Sequence, residues 1–207
     1  MSLVLFSIGN PGPSNRHSTG HIMLKLLLEN YSSTVKQLVP KSTYSMTSNA
    51  DNSLIFIKSN TYMNESAKAW NKVISNEKLP NGSIVIILYD DFENDIPSVK
   101  LSKFKKNESH NGVKNLMTVM QNETSYLILK LGIGIGPKPA QASKATMSSW
   151  VLSPFTLEQK QTIMSQSFDL CLFYLQQIAE AGGEMGDVGK FDVRVKKQWK
   201  REKNGVD

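Results

Sequence analysis

A histidine and an aspartate carry most of the chemistry that this sequence offers. His17 follows a dense turn at residues 9–13 and precedes a predicted helix, while Asp90 follows the most apolar predicted strand, residues 83–88. A carboxylate beside an imidazole fixes the tautomer of the ring and raises its basicity. With no serine or cysteine nucleophile evident, the pair predicts general-base activation of water. The alternative is that His17 is a structural histidine beside a helix start.

Three asparagines occupy similar positions at the edges of predicted elements: Asn10, Asn64 and Asn111. An amide side chain both donates and accepts hydrogen bonds. Several such groups in one pocket would suit the recognition of peptide and ester groups and the stabilisation of an oxyanion. Taken singly, each asparagine also fits a turn or a helix N-cap.

Other chemistries find weaker support. His17 and His21 have the spacing of a zinc pair on a helix, but Gly20 lies between them and no third ligand follows. The glycines at 132, 134 and 136 lack the Lys-Ser/Thr of a phosphate-binding loop. Cys171 is the only cysteine, which rules out an internal disulfide, and its apolar neighbours indicate packing. We therefore expect no metal and no cofactor.

The elements that must position these residues alternate between strands and helices. Apolar runs predict strands at residues 3–8, 54–57, 83–88, 99–105 and 126–135, and helical spacing predicts helices at 21–31, 65–74, 111–120 and 156–181. Residues 41–53 are interpreted as a weak edge strand or loop, and residues 137–149 as a loop. This alternation predicts one α/β domain with a mixed, mostly parallel, twisted sheet flanked by helices. We place that domain at residues 1–185.

Charge and length bound the class of protein. The 207 residues carry a net charge of +6, and residues 189–207 contribute +4 of it through seven bases and three acids. A basic balance favours a polyanionic partner such as nucleic acid, although residues 186–207 could equally be a flexible, solvated tail. No run approaches the roughly 20 apolar residues of a membrane helix. Without a secretory signal or clear presequence, we expect a cytoplasmic or mitochondrial protein that does not bind membranes.

Eight short motifs occur in an order that resembles the bacterial-type peptidyl-tRNA hydrolase family. They are Gly9-Asn10-Pro11-Gly12, Arg16-His17 with Gly20, Thr61-Tyr62-Met63-Asn64, Tyr89-Asp90-Asp91, Lys103-Phe104-Lys105, His110-Asn111-Gly112, the glycine run at 132–136, and Trp150-Val151-Leu152. The resemblance spans roughly residues 3–180, and the sequence looks like a divergent, eukaryotic-like member of the family. It implies a peptidyl-tRNA hydrolase-like fold and an enzyme that hydrolyses the ester between a peptide and the 3′ ribose of tRNA, which recycles the tRNA.

The resemblance also implies roles for individual residues. His17 would be the general base, Asp90 would hold it, and Asn10 would line the catalytic centre and help distinguish peptidyl from free aminoacyl ends. Substrate contacts around the peptide and the terminal nucleotide would come from Tyr62, Asn64 and Asn111. Lys103, Lys105 and Lys106 would contact tRNA phosphates, with lysines on a protected strand edge as the alternative. The implied partner is peptidyl-tRNA, bound through its acceptor stem and 3′ end by a monomer.

Several positions depart from the family pattern. The loop between Gly12 and Arg16 is short and lacks an aromatic residue, Ser18 replaces an expected asparagine, and Tyr89 replaces a histidine. The usual basic residue before the glycine run is absent, although Lys130 lies close by. These departures, together with the basic tail, keep open a non-catalytic RNA-binding protein on the same fold. A hydrolase of some smaller ester or amide is a third possibility.

Overall fold

A seven-stranded mixed sheet organises the chain, and the computed structural model describes residues 1–205. The strand order is β2-β3-β4-β1-β5-β7-β6. Strands β4, β1, β5 and β7 run parallel, while β2, β3 and β6 pair antiparallel with their neighbours. The strands are β1 Leu3–Ser7, β2 Val39–Pro40, β3 Tyr44–Ser48, β4 Leu54–Ser59, β5 Ile84–Asp95, β6 Val99–Ser102 and β7 Leu127–Gly136. The predicted α/β fold with a mostly parallel sheet is confirmed.

Helices cover both faces of the sheet, which explains why the central strands are almost continuously apolar. One core contains side chains of α1, α6 and α7, and a second core on the opposite face contains side chains of α2 and α3. The helices are α1 Thr19–Asn30, α2 Ser66–Asn76, α3 Asn111–Met120, α4 Lys144–Val151, α5 Leu157–Thr162, α6 Phe168–Ala181 and α7 Val188–Asn204. A π-helical segment, Ile163–Ser167, joins α5 to α6. Within the described residues, no helix has both the length and the apolar character needed to cross a bilayer.

Two elements differ from the sequence prediction near the candidate site. The strand predicted to end at Leu88 continues to Asp95, so Asp90 lies inside β5 rather than beyond its end. Charged and polar residues follow Asp90, and these hide the continuation from a hydropathy pattern. The predicted loop at 137–149 contains the start of α4, whose polar composition gives no clear apolar stripe; Ser143 caps it by accepting from the Thr146 N–H at 3.1 Å.

The C-terminal segment also differs from the prediction of a flexible tail beginning at residue 186. Residues 188–204 form α7, and Val188, Phe191 and Val195 are buried in the same core as α1 and α6. Asp187 caps the helix by accepting from the Lys190 N–H at 2.8 Å. The three apolar residues are spaced three and four apart, a helical stripe that the surrounding charges mask. Residues 206 and 207 of the predicted tail lie outside the described residues.

The topology reverses direction beside β1. The chain moves from β1 through α1 to β4 on one side, and then through α2 to β5 on the other side of β1, with α1 and α2 on opposite faces. In open α/β sheets such a switch point leaves a crevice at the carboxyl ends of the strands. Because β1 ends at Ser7, opposite Leu88, the residues of β5 that follow Leu88 extend beyond the end of β1. Asp90 occupies this protruding part of β5.

Candidate active site

His17 is held over the end of the sheet by a tight turn that leads into α1. It lies in a short 3₁₀ turn, Arg16–Ser18, which continues directly into the helix. Gly20 lets this helix approach the strands closely, because a Cβ there would lie 2.3 Å from the Leu88 carbonyl oxygen and 2.6 Å from that of Ile8. Gly20 therefore determines how near the His17 imidazole comes to β5.

Arg16 anchors the turn from the other side. Its guanidinium is buried and donates to the Ser153 Oγ and the Pro154 carbonyl, both at 2.6 Å, and to the Gln159 Oε1 at 3.0 Å. It also lies between the rings of Trp150 and Phe155, about 5 Å from each centroid. Two motifs that are more than 130 residues apart in sequence thus meet to fix the residue that precedes His17.

The short loop before Arg16 is closed by a local pair of polar side chains. The Ser18 hydroxyl donates to Asn15 Oδ1 at 3.1 Å and accepts from the Asn15 backbone N–H at 3.3 Å. The Ser18 N–H also donates to the Asn15 carbonyl oxygen at 2.9 Å. The serine that departs from the family pattern is therefore used to stabilise the shortened loop.

Asp90 joins two histidines through its two carboxylate oxygens. Oδ2 lies 2.6 Å from Nδ1 of His17, and Oδ1 lies 2.9 Å from Nε2 of His110. The Asp90 side chain is fully buried, His110 is nearly so, and 15% of the His17 side chain is exposed. The structure thus brings together His17 and Asp90 as predicted, and adds His110 as a second partner of the carboxylate.

The hydrogen bonds determine where the protons lie. An ionised carboxylate only accepts, so His17 donates from Nδ1 and His110 donates from Nε2. Nδ1 of His110 in turn accepts from the Val113 N–H at 3.3 Å, which caps the start of α3 and leaves no proton on that nitrogen. In neutral His17 the remaining nitrogen, Nε2, keeps its lone pair. That nitrogen is the one available to act as a base.

The same contacts shift the ionisation of both partners. Burial alone would raise the pKa of Asp90, but the electrostatic interaction and hydrogen bond with His110, together with those with His17, outweigh it and lower the pKa to about 2. Burial would lower the pKa of His17, but its hydrogen bond to Asp90 and the carboxylate charge outweigh burial and raise this pKa above 6.5. Asp90 is therefore ionised at neutral pH, and His17 is a stronger base than a free imidazole.

His21, the third histidine, is separate from this group. Burial, followed by the charge of Lys58, lowers its pKa to about 3, so its ring is neutral. Its Nδ1 is 2.8 Å from the Ser7 hydroxyl. His17 and His21 therefore have different partners and do not form the zinc pair that their spacing allows.

The cluster of His17, Asp90 and His110 has the donor types of a metal site, with ligand atoms within 4.8 Å of one another. However, the near nitrogens of both histidines carry the protons that they donate to Asp90. His110 would have to move its proton to Nδ1, against the Val113 N–H, before Nε2 could ligate a metal ion. The geometry therefore favours a hydrogen-bond network, and the expectation of no metal stays a prediction.

His110 is further clamped by aromatic side chains. Phe92 stacks on its ring with centroids 5.7 Å apart, and Tyr89 meets the ring edge-on at 5.3 Å. Tyr89 is the residue that replaces a family histidine, and burial, followed by the charge of Asp91, raises its pKa well above 10. A neutral phenol thus supports His110 without adding charge near Asp90.

Two substitutions of His110 distinguish the contribution of its hydrogen bond to Asp90 from that of its cap on α3. His110→Ala leaves Asp90 Oδ1 unpaired and α3 uncapped, so we expect a loss of about 2–4 kcal/mol in the free energy of unfolding. His110→Asn keeps a good N-cap and is expected to recover about 1 kcal/mol of that loss. Urea denaturation of both variants measures the difference; equal stabilities would contradict the capping role.

A cleft of about 520 Å³ opens beside His17. Asn111, the first residue of α3, lines it with His17, so this predicted pair lies at one site. The opposite wall comes from the loop after β7 and from α4, including Lys138, Gln141 and Met147. The cleft is open to solvent at the carboxyl end of the sheet, where a large substrate could enter.

The remaining predicted substrate residues form one connected unit next to α3. Asn10 Oδ1 accepts from the Met63 N–H at 2.8 Å, which ties the first loop to the turn that carries Tyr62 and Asn64. Met63 packs against Gly112, where a Cβ would lie 2.4 Å from its sulfur. Tyr62 and Asn64 are exposed on this turn. Asn10 thus has a structural contact through its oxygen, while its amide nitrogen has no partner among the described residues.

The three predicted phosphate-contacting lysines lie between β6 and His110. Lys103, Lys105 and Lys106 are all exposed. Lys130 is different, because it is buried and forms an ion pair with Glu108, which also accepts from the Lys105 N–H at 2.7 Å. Lys130 therefore does not replace the basic residue missing before the glycine run.

Sequence reasoning missed two residues that shape the site. His110 belongs to one of the family motifs, and its position immediately before the predicted helix at 111–120 indicates a helix N-cap. Arg16 was adjacent to His17, but its partners lie near residues 150–159, and no spacing rule predicts that contact.

The chain is similar to known proteins both in sequence and in fold. The sequence profile of the family described as "Peptidyl-tRNA hydrolase" matches residues 4–198. A peptidyl-tRNA hydrolase of Thermodesulfovibrio yellowstonii is 33% identical over 79% of this chain and 86% of its own. One from Mycoplasma mycoides is 31% identical over 80% and 86%. The crystal structure of the peptidyl-tRNA hydrolase from Acinetobacter baumannii shares the fold with a TM-score of 0.68 at 20% identity, covering 94% of each chain.

Proposed function

The chain belongs to the peptidyl-tRNA hydrolase family, and on that premise we propose that His17 is the general base of an enzyme that hydrolyses the ester between peptide and tRNA. The observation that carries this assignment is the hydrogen bond of 2.6 Å between His17 Nδ1 and Asp90 Oδ2. It leaves Nε2 of His17 as the unprotonated nitrogen of a ring that borders the cleft.

The proposed reaction needs only water and the side chains of the site. Nε2 of His17 removes a proton from water as its oxygen attacks the ester carbonyl carbon. The tetrahedral intermediate collapses, the bond to the ribose oxygen breaks, and His17 returns the proton to that oxygen. The products are the peptide carboxylic acid and tRNA with a free 3′ hydroxyl. Asp90 stabilises the transient imidazolium without taking its proton, as its low pKa requires.

The asparagines supply recognition in this proposal. Asn111 lies in the cleft with His17 and can donate to a carbonyl oxygen of the peptide or of the developing oxyanion. The free amide nitrogen of Asn10 can donate to a peptide carbonyl, which a free aminoacyl end lacks. Tyr62 and Asn64 offer an exposed aromatic face and an amide to the terminal nucleotide. Lys103, Lys105 and Lys106 contact phosphates, which position the substrate without reading its sequence.

The direct test is release of N-acetyl-aminoacyl groups from full-length tRNA by the purified protein. We expect turnover of the N-blocked substrate and much slower turnover of the same tRNA with a free α-amino group. Spontaneous deacylation of each substrate provides the baseline. Equal rates on the blocked and unblocked substrates would contradict the recognition role of the asparagines.

Two other functions have distinct outcomes in the same assay. A non-catalytic RNA-binding protein would bind tRNA in a salt-sensitive manner with no release above the baseline. A hydrolase of small esters would act on an N-acetyl-aminoacyl methyl ester as well as on the tRNA substrate. The intact arrangement of His17, Asp90 and Asn111 favours the peptidyl-tRNA hydrolase. A monomeric state and a cytoplasmic or mitochondrial location remain part of the proposal.

A further inference from the structure

A row of basic residues on the last helix is not used by the catalytic site. We propose that this row, Lys190, Arg194, Lys197 and Arg201 on the outer face of α7 (the α7 basic stripe), binds the phosphate backbone of the tRNA body, beyond the acceptor end. The inference rests on the proposed function, because it takes the RNA to be the one whose 3′ end reaches His17.

The spacing of the four residues places them on one helix face. They are separated by four, three and four positions, close to the period of 3.6 residues per turn. Eleven residues at 1.5 Å per residue make the stripe about 16 Å long. All four side chains are exposed, and with Val193 and Gln198 they line a shallow groove of about 430 Å³. The stripe is thus a linear array of cations, as suits an anionic polymer.

The charges of the stripe are not neutralised by neighbouring acids. Among residues 1–205, none of the four forms an ion pair, whereas Lys196 pairs with Asp192 and Lys203 with Asp169. Two further acids lie near the stripe along the chain: Glu202 accepts a hydrogen bond from Gln198, and Asp187 accepts from the Lys190 N–H at the start of the helix. Four positive charges in a row repel one another and favour the binding of an anion that releases counterions.

The inner face of α7 holds the stripe in place. The buried carboxylate of Asp192 accepts from the Leu101 N–H at 2.8 Å, from the Tyr174 hydroxyl at 2.6 Å and from Lys196 Nζ at 2.8 Å. The first of these bonds also occupies a backbone donor of the sheet's edge strand, β6. Because the helix is already fixed, RNA binding does not have to order it, which lowers the entropic cost of association.

The position of α7 suits a long substrate. Leu101 pairs with Leu131 of β7, which pairs with Leu88 of β5. Two strand spacings of about 4.8 Å and the thickness of a helix layer of about 10 Å place the stripe roughly 15–20 Å from Asp90. Lys103, Lys105 and Lys106 directly follow β6, the strand on which α7 packs. The two basic regions therefore flank one edge of the sheet, and an RNA stem leaving the cleft at this edge would reach both.

The test compares two double variants of the full-length protein. Arg194→Gln/Lys197→Gln neutralises the centre of the stripe. Lys72→Gln/Lys78→Gln neutralises two exposed lysines, one in α2 and one just after it, on the opposite face of the sheet, and serves as the matched control. Affinity for deacylated full-length tRNA is measured at several salt concentrations. We expect the stripe variant to bind roughly tenfold or more weakly and to lose nearly 2 from the slope of log K against log salt. The control is expected to match the wild type.

The readouts separate this proposal from the catalytic one. With the N-blocked tRNA, the stripe variant should raise KM and retain kcat, while KM for an N-acetyl-aminoacyl trinucleotide should stay at the wild-type value. Unchanged tRNA affinity and salt slope in a variant that hydrolyses normally would overturn the stripe alone. Absence of hydrolysis by the wild type would overturn the catalytic proposal, while tRNA binding would still test the stripe. If the stripe variant instead lost the wild-type protein's binding to phosphatidylserine vesicles and kept its tRNA affinity, the surface would be assigned to lipid and the RNA proposal would be overturned.

Discussion

His17→Ala is expected to lower kcat for N-acetyl-aminoacyl-tRNA by about 10²–10⁴-fold, the range that a positioned general base contributes. The loss should fall on kcat, because Nε2 of His17 acts on the attacking water and is not required to hold the tRNA. Steady-state kinetics on the N-blocked substrate gives kcat, and a separate binding measurement with deacylated tRNA should give the wild-type affinity. The side chain is partly exposed, so we expect the variant to fold.

His21→Asn is the control for this experiment. It also removes an imidazole, but this one lies in α1, is partly buried and neutral, and is bonded to the Ser7 hydroxyl rather than to Asp90. We expect a change in stability and a kcat close to the wild type. A His17→Ala enzyme that keeps more than about a tenth of the wild-type kcat would contradict the assignment of the base. Wild-type activity in His17→Ala combined with intact tRNA binding would require another nucleophile or base.

The sequence was most informative where one local pattern determined one element. The helix at 111–120 has the predicted bounds, and the helix predicted from residue 156 begins there, where Thr156 and Gln159 form a capping box at the start of α5. The central strands were visible as apolar runs because both faces of the sheet are covered. Strand β5 was predicted too short, since its second half carries Asp90 and further polar residues at the open end of the sheet. Residues of a strand that serve a site are polar, so a hydropathy pattern does not mark them as part of the strand.

The tertiary contacts of the site were less accessible to sequence reasoning. The pairing of His17 with Asp90 is predicted only weakly by their positions at the ends of predicted elements, since they are 73 residues apart, and the family resemblance supplies the stronger support. The link from Asp90 to His110 depends on the start of α3 pointing at β5, and the link from Arg16 to Ser153 depends on the placement of α4. Likewise, the burial of Asp192 depends on the packing of α7 against β6. Each of these contacts joins elements through the sheet order, which local patterns do not specify.

The lysines illustrate why net charge alone was an uncertain guide. Lys130 and Lys103 count equally in the total of +6, yet Lys130 is buried against Glu108 and Lys103 is exposed. The segment first interpreted as a tail contributes a helix with a buried apolar side and an exposed basic side. Deleting residues 189–207 would therefore remove core residues such as Phe191 and expose the apolar side chains that they cover, so the effects on RNA binding and on stability could not be separated. Substitution of exposed residues only is the cleaner experiment.

Asp90→Asn is expected to lower kcat by about 10–10³-fold, less than His17→Ala, because the base remains while its orientation and basicity are impaired. Both oxygens of the carboxylate accept from histidines, at 2.6 and 2.9 Å. An asparagine has one oxygen, so its NH₂ group must face one of the two histidine N–H groups. If it faces His17, the ring is driven to the tautomer that is protonated on Nε2, which cannot take a proton from water.

The pH dependence distinguishes this role from a merely structural one. In the wild type, kcat/KM should fall as pH decreases through the pKa of His17, because only the neutral ring is a base. Asp90 raises that pKa above 6.5, so its neutralisation should lower the pKa and move the acid limb of the profile to lower pH. A variant that only loosened the fold would lose activity at every pH without moving the midpoint. An unmoved midpoint, or a loss equal to that of His17→Ala, would show that Asp90 does not act by tuning His17. A shift to lower pH with a smaller loss would identify the carboxylate as the group that makes His17 basic and holds its lone pair toward the attacking water.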